Sequence, residues 1–277
     1  MFIYYTTSKG WGNMSELYFE YYMQITFSEM ARNHSFTLKC LPHSDERQEI
    51  QDLELKLYPE VDYETGRDSF GNWYIFGNIN TLHNKFEVTV TGKARTGLSS
   101  FVTGEEDLLA LYTIQDEYTK PGAGLLSMFD RLYEKKETNL ETAIHMMEGL
   151  WKEFTYLSAS TNVRTTAEEA VNQGGGVCQD YSQILISLCR MAGMPARYVV
   201  GMLEGEGESH AWVEIYESLG EHKGWYGLDP TNNVMVQDGN VIISHGRNYK
   251  DCRINRGIFF GGGVQAQQVK VKLEVKK

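Results

Sequence analysis

A change of hydrophobic period near residue 105 constrains the fold of this chain more than any other feature. Before it, apolar and polar residues alternate, as at Leu53, Leu55 and Leu57, whose intervening neighbours are charged. This period of two is typical of β-strands, whereas apolar residues after the change repeat at helical spacing. The helical repeat comprises Leu140, Ile144, Met147, Trp151 and Phe154. The sequence therefore predicts an all-β unit followed by a unit that begins with helices.

The first unit consists of short predicted strands with turns rich in Gly, Asn and Asp between them. These strands are predicted at 17–27, 52–58, 72–76 and 86–91. Several short strands at this spacing are typical of an all-β sandwich or barrel. The length of 277 residues suits two domains at roughly 150 residues each. We therefore predict an N-terminal β-sandwich domain at 1–103 and a second domain at 104–277.

The second unit is predicted to be helical at 104–157 and to contain two further helices. Thr166 and Glu169 form a capping-box pattern that opens a short helix, which ends at the glycines 174–176. An apolar stripe predicts the other helix from about 178 to 192. Strands are predicted after it at 197–202, 210–216, 224–228 and 269–275. The whole pattern is that of an α+β protein.

The composition argues against several classes of protein. The net charge is −11, whereas a nucleic-acid-binding protein normally needs a basic surface. No apolar run approaches 18 residues, so no membrane span is predicted. The first residues lack the basic segment of a signal peptide, and Met14 reads as a natural start, consistent with residues 1–13 being an extension. Because the four cysteines are sparse and scattered, we expect reduced thiols in a cytoplasmic protein.

Cys178 is the strongest candidate for a reactive side chain. It follows three glycines and stands in the first turn of a predicted helix. Amide groups at a helix N-terminus favour a thiolate and can hold a developing oxyanion. The glycines would let the backbone approach a substrate closely. By itself the pattern fits a buried structural thiol equally well, because cysteine prefers protein interiors.

His210 and Asp229 supply the partners that a nucleophilic cysteine needs. In sequence they lie equally far from the midpoint between Leu219 and Gly220, which is the centre of the loop that would join two antiparallel strands. They would then face each other, and a carboxylate beside an imidazole orients the ring. Each residue also has an ordinary explanation, as a surface histidine or as a turn former before proline. Together with Cys178 they predict a Cys-His-Asp acyl-transfer site.

Four sequence blocks resemble the core of the transglutaminase-like superfamily. The blocks are Gly176-Val-Cys178-Gln-Asp180-Tyr, Gly193-Met-Pro195-Ala-Arg197-Tyr, Ser209-His210-Ala-Trp212-Val-Glu214 and Gly224-Trp-Tyr-Gly-Leu-Asp229-Pro-Thr-Asn-Asn233. They occur in the family's order, and the strand-rich start resembles the β-sandwich that precedes the core in bacterial members. The resemblance implies a papain-like core with helices packed on an antiparallel sheet. It also implies that Cys178 is the nucleophile, His210 the base and acid, and Asp229 the orienting group.

Other residues are weaker candidates for binding substrate or completing the oxyanion hole. They are Tyr156, Asn172, Gln173, Gln179 and Trp212. We expect Trp212 to pack with part of its face exposed, although it could wall a substrate groove. The segment 205–209 before His210 could be a lid or merely a connection. No histidine has metal-ligand spacing with another histidine or a cysteine, so we expect no metal and no organic cofactor.

The predicted reaction is covalent acyl transfer from a peptide or protein amide. We favour water as the acceptor, which makes the protein a peptidase or amidase, because water is abundant and nothing marks a second tunnel for an amine. Two alternatives stay open. In the first, a lysine amine replaces water and the protein is a cross-linking transglutaminase. In the second, the fold presents a groove for a peptide without turnover. Neither nucleic acid nor membrane is expected as a partner.

Overall fold

The first part of the chain folds into a curled antiparallel sheet. The computed structural model describes residues 15–99, 101–102, 106–158, 161–219, 223–236 and 238–275. Residues 1–13 lie outside these ranges. The strands of the first part are β1 (Ser15–Leu38), β2 (Glu49–Tyr58), β3 (Tyr63–Arg67), β4 (Trp73–Ile79) and β5 (His83–Thr96). Each strand that the sequence predicts here is present, and the all-β character of this part is confirmed.

Strand β1 forms the spine of this sheet. It is 24 residues long, and alternate side chains such as Leu17, Phe19 and Tyr21 are buried on one face, as a strand with a single core face requires. Its register with β5 shifts between Thr26 and Ala31, and such a bulge bends and twists a strand. Beyond the shift β1 also pairs with β4. The sheet therefore curls around its own apolar core.

The helical part follows the first sheet. Its elements are a 3₁₀ helix (Glu106–Thr113), α1 (Ala123–Leu132), α2 (Asn139–Glu153), α3 (Ala167–Gln173) and α4 (Cys178–Met191). The predicted helical segment 104–157 is thus broken into shorter helices, and Pro121 stands in one break because proline cannot continue a helix. Thr138 and Thr166 open α2 and α3 through capping boxes, the second of which the sequence predicts. None of the described helices is long and apolar enough to cross a bilayer.

A second antiparallel sheet packs against α4. The strands that follow α2 are β6 (Thr155–Tyr156), β7 (Gly175–Gly176), β8 (Ala196–Leu203), β9 (Gly205–Gly207), β10 (His210–Glu217), β11 (Gly224–Asp229), β12 (Val234–Val236) and β13 (Asn240–Gly246). The sheet has the order β12-β11-β10-β8-β13. Ile184 and Leu188 of α4 share a buried core with Val213 and Ile215 of β10. Burying one such side chain stabilises the folded state by about 1.5–3 kcal/mol. The predicted α+β class, with helices on an antiparallel sheet, is confirmed.

The last two strands, β14 (Asn255–Gly261) and β15 (Gln265–Val275), belong to the first sheet. The sequence places this segment with the domain at 104–277, whereas the structure pairs Asn255 with Leu38 and Val275 with Leu17. The tail therefore runs antiparallel to β1 along most of its length. Alternation predicts this strand but not its partner, because a pattern of period two specifies a face and not a neighbour.

The two sheets share a polar contact that is buried. Arg47, in the connection between β1 and β2, pairs with Glu214 of β10, and Arg197 of β8 contacts the same carboxylate at 2.6 Å. Burial by itself would raise the pKa of Glu214, but the two guanidinium groups lower it to about 2. A carboxylate enclosed in this way stays charged, and it links the first sheet to the strand that begins with His210.

Candidate active site

Cys178 is the first residue of α4, and the helix start that presents it is tightly held. Val177 before it is extended, with φ −105° and ψ −177°. The Asp180 carboxylate accepts hydrogen bonds from the Val177 N–H at 2.8 Å and from the Thr161 hydroxyl at 2.6 Å. A carboxylate in the first turn satisfies amide donors that the helix leaves free. These contacts fix the half-buried sulfur of Cys178 at the helix N-terminus.

The two glycines before Val177 have a packing role. Gly175 and Gly176 are buried in β7. A Cβ atom on Gly176 would lie 2.4 Å from the Asp180 carboxylate, and one on Gly175 would lie 2.7 Å from the Thr155 carbonyl oxygen. Any larger residue would therefore push β7 away from its neighbours. This role differs from the approach to substrate that the sequence suggests for these glycines.

His210 and Asp229 are in direct contact. The distance from His210 Nε2 to Asp229 Oδ2 is 2.8 Å. Because an ionised carboxylate only accepts hydrogen bonds, Nε2 is the donor. His210 begins β10 and is partly buried, whereas Asp229 ends β11 and is buried. The structure thus brings together the imidazole and carboxylate that the sequence singles out.

The register that brings them together differs from the predicted one. The ladder between β10 and β11 would place Asp229 opposite Trp212, two residues from the predicted position opposite His210. The contact with His210 is therefore diagonal, a distance that longer side chains span. Because the shift is even, both side chains keep the same face of the sheet. The predicted loop centre includes Gly220, which lies outside the described residues.

The turn after β11 orients the Asp229 carboxylate. Oδ1 accepts from the N–H groups of Thr231 at 3.0 Å and Asn232 at 3.3 Å, and Oδ2 accepts from Asn232 Nδ2 at 2.7 Å. Burial by itself would raise the pKa of Asp229, but hydrogen bonds from His210 and Asn232 lower it below its ordinary value. Sequence reasoning missed Asn232. The sequence signal for Asn232 was its position three residues after Asp229, since an aspartate carboxylate commonly accepts hydrogen bonds from backbone N–H groups two and three residues later.

Opposing effects set the charge of His210. Burial by itself would lower its pKa, but hydrogen bonds and charge from Asp229 and Cys178 outweigh burial and raise the pKa to about 10. Since Nε2 is engaged by Asp229, Nδ1 is the ring nitrogen that remains for the sulfur. The imidazole thus has a carboxylate bonded to one ring nitrogen and a thiol near enough to raise its pKa.

Cys178 and His210 lie on the wall of a cleft of about 650 Å³. The opposite wall comes from the first sheet, where Gln265, Gln267 and Val269 of β15 line the same space. A cleft of this size suits a short segment of peptide or a small amide. Across the part of the chain that the structure describes, no group of three or more His, Cys, Asp or Glu side chains is placed to hold a metal ion.

The weaker candidates lie in different places. Gln179 lines the cleft. Tyr156 is half exposed beside β7, and burial followed by the proximity of Cys178 raises the pKa of its phenol. Gln173 and Asn172 are exposed on α3 and are not among the described residues that line the cleft. Of this group, only Gln179 and Tyr156 are close to the sulfur.

Trp212 does not wall a groove. Its side chain is 0% exposed and packs against Val199 and Ile242. The expected packing is therefore confirmed, but the expected exposed part of its face is wrong. The reason is that these neighbours, on β8 and β13 of the same sheet, enclose the ring, which the sequence pattern of one strand cannot reveal.

The segment before His210 is a strand of the first sheet. Gly205–Gly207 forms β9 and pairs with β15, with Gly205 opposite Leu273. The sequence left open whether 205–209 is a lid or a connection. The structure makes it a connection that ties the chain entering His210 to the same β15 strand that lines the cleft.

Comparisons with known proteins agree with this architecture. A model of the transglutaminase-like superfamily matches residues 127–230, a range that contains Cys178, His210 and Asp229. A model of the bacterial transglutaminase-like N-terminal region matches residues 19–95. The solved structure of a candidate cysteine protease from Cytophaga hutchinsonii has a TM-score of 0.77 over 96% of this chain and 92% of that one, at 20% identity. This similarity shows a shared fold.

Sequence relatives include uncharacterised mycobacterial proteins. The chain is 32% identical over 128 residues to one from Mycobacterium leprae, a match that covers 43% of this chain and 44% of that protein. It is 31% identical over 138 residues to one from Mycobacterium tuberculosis, covering 45% of this chain and 44% of that protein. The chain thus spans less than half the length of these relatives. The two family matches thus identify a transglutaminase-like core at residues 127–230 of this chain and a bacterial transglutaminase-like N-terminal region at residues 19–95.

Proposed function

We propose that this protein is a cysteine-dependent amidase or peptidase. In this proposal Cys178 is the nucleophile, His210 is the base and acid, and Asp229 orients the imidazole. The observation that carries the proposal is the position of His210, which binds Asp229 through Nε2 at 2.8 Å and lines the same cleft as Cys178. Such a set of three groups is the working unit of nucleophilic acyl transfer.

The proposed reaction forms and breaks an acyl-enzyme. His210 holds the proton that the Cys178 thiol gives up, the sulfur attacks the amide carbonyl carbon, and amide groups in the first turn of α4 stabilise the oxyanion. The carbon–nitrogen bond then breaks, and His210 donates its proton to the leaving amine. Water, activated by His210, attacks the thioester. The products are a carboxylic acid, an amine and the restored thiol.

The acceptor distinguishes the two enzyme classes. A lysine amine in place of water would yield a new amide bond and make the protein a cross-linking transglutaminase. Both reactions use the same acyl-enzyme, so Cys178, His210 and Asp229 serve either one. We favour water because it is abundant at the half-buried sulfur and requires no second binding site.

Product analysis tests this proposal. Glutamine- and amide-containing peptides are incubated with the protein, with and without a primary amine, and the products are identified by mass spectrometry. The Cys178→Ala variant is compared with Cys189→Ala, a matched change at a buried cysteine of the same helix. Hydrolysis that requires Cys178 but not Cys189 supports the proposal. Amine incorporation in excess of hydrolysis assigns a transglutaminase instead, and peptide binding without any product assigns a binding module.

A further inference from the structure

The catalytic cleft has two arginines on its wall, in a chain whose net charge is −11. Arg164 stands in the segment before α3, and Arg253 stands in the segment between β13 and β14. Both line the cleft that contains Cys178 and His210. A cationic cleft in an acidic protein attracts anions to one place on the surface, because the remaining surface repels them.

Neither guanidinium has a carboxylate partner among the described residues, where ion pairs engage arginines such as Arg47, Arg190 and Arg197. Arg253 lies over the ring of Tyr249, 5.7 Å from its centroid. Burial raises the pKa of Tyr249, and the nearby charge of Arg253 acts in the opposite direction and lowers it. The tyrosine therefore positions Arg253 and leaves its charge uncompensated.

Contacts through Tyr118 connect the two arginines. The Tyr118 hydroxyl donates to the carbonyl oxygen of Val163, next to Arg164, at 3.4 Å. The ring of Tyr118 also contacts that of Tyr249, with centroids 6.5 Å apart, and Tyr249 in turn holds Arg253. Arg164 and Arg253 thus form one cluster, which we call the arginine wall.

The acidic group of the cleft belongs to a different cluster. Glu208 also lines the cleft, and it contributes after burial and Cys178 to the raised pKa of Tyr156. The charge of Glu208 therefore acts on Tyr156, whereas the residues of the arginine wall contact Tyr118 and Tyr249. The cleft that contains Cys178 therefore carries unlike charges beside different residues of its wall, so a substrate with a negative group has one preferred orientation.

We infer that this cleft selects amides that carry a carboxylate close to the scissile bond, and that Arg164 and Arg253 bind that carboxylate. The planar guanidinium matches a carboxylate with two parallel hydrogen bonds. The carboxylate can come from an acidic side chain or from a free carboxyl terminus. This inference rests on the proposed function only in placing the reacting amide at Cys178.

Peptide binding to the Cys178→Ala variant tests the inference without turnover. Fluorescein-labelled peptides are made in pairs that differ by Glu or Gln at one position, each with a free or an amidated carboxyl terminus, and affinities are measured by fluorescence anisotropy. We expect about tenfold tighter binding for the acidic member of at least one pair, since hydrogen bonds to a charged group are roughly twice as strong as those between neutral groups. A preference set by Glu identifies an acidic side chain, and one set by the free terminus identifies a terminal carboxylate.

Arginine variants in the same background assign the effect. Arg253→Gln should reduce the preference about fivefold, and the exposed Arg164→Gln about twofold, because solvent weakens its contribution. Arg253→Lys keeps the charge and should keep part of the preference. Arg256→Gln is the matched control, because Arg256 is exposed on β14 and is not among the described residues that line the cleft.

Two measurements separate this inference from the proposed function. Equal affinities within every pair, no binding to any peptide, or a preference that survives both arginine-to-glutamine changes would overturn the inference. Turnover is measured separately with Cys178 intact. Acidic preference in binding without Cys178-dependent turnover would refute the proposed function alone. Cys178-dependent turnover with equal binding of acidic and neutral peptides would refute the inference alone.

Discussion

Asp229 reaches His210 on a diagonal across two strands. Their side chains meet at 2.8 Å, although the strand register would place Asp229 opposite Trp212. A diagonal contact depends on the direction in which the carboxylate points. That direction is set by the turn after β11, whose N–H groups and Asn232 side chain bind both carboxylate oxygens.

Asn232 is therefore expected to act as a positioning residue. Asn232→Ala removes the 2.7 Å bond to the same oxygen that accepts from His210, so kcat should fall about tenfold with little change in KM. Because that bond helps to lower the pKa of Asp229, the acidic limb of the pH–rate profile should also move to higher pH. Asn240→Ala, which removes a side-chain hydrogen bond at the first residue of β13, is the control. A purely structural role would leave the acidic limb in place.

Substitutions of the three central residues should differ in severity. Cys178→Ala and His210→Ala are each expected to reduce kcat at least about 10³-fold, because they remove the nucleophile and the proton carrier. Asp229→Asn should reduce kcat by a smaller factor, or by a comparable factor if the imidazole adopts the wrong tautomer. Steady-state kinetics on variants with unchanged circular dichroism measure these losses. Cys178→Ala activity within about tenfold of the parent protein would contradict the assignment.

Alkylation should single out one of the four cysteines. Cys40, Cys189 and Cys252 are 0% exposed, and burial raises the pKa of each, to about 12 for Cys40 and Cys189. Only Cys178 is accessible and beside a charged imidazole. Iodoacetamide at mildly acidic pH should therefore label Cys178, as measured by peptide mass mapping. His210→Gln should slow this labelling. Equal labelling rates at Cys178 and the buried cysteines would contradict the expected reactivity of Cys178.

The pH dependence of stability should reveal the proton on His210. Its pKa is about 10 in the folded protein, against 6.5 for an ordinary histidine. The folded state therefore holds this proton more tightly, and the resulting stabilisation is complete below pH 6.5 and lost as the pH rises through about 10. The difference in free energy of unfolding between the parent and His210→Gln, measured in urea, should shrink over this range. A difference that stays constant would rule out the raised pKa; His145→Gln, at a partly exposed histidine, is the control.

The buried carboxylate of Glu214 should contribute strongly to stability. Glu214→Gln leaves Arg47 and Arg197 without their shared anion, and breaking a buried pair in this way costs about 3–5 kcal/mol. Since the pKa of Glu214 is about 2, below its ordinary 4.5, the contribution is complete above pH 4.5 and lost as the pH falls through 2. Urea unfolding measures the cost. Glu54→Gln, at an exposed pair with Lys56, should change stability by less than about 1 kcal/mol.

Local sequence patterns were enough to predict the elements and the reactive group. The helix predicted from about 178 to 192 is observed at Cys178–Met191, and the capping box at Thr166 opens the predicted short helix. Apolar period, capping side chains and helix-ending glycines act over a few residues, so they can be read directly. For the same reason Cys178 was recognisable as the first residue of a helix.

Contacts between distant segments were decided by the tertiary structure. Period two predicts the tail strand but not its pairing with β1, and the centre of a loop does not reveal that Asp229 meets His210 diagonally. Likewise, Arg164 and Arg253 are 89 residues apart in sequence and share a cleft only because Tyr118 and Tyr249 pack together. The sequence by itself therefore determined which elements form and which side chain can react. The partners of those elements, and the charge of the cleft, depend on packing over long separations that no local pattern encodes.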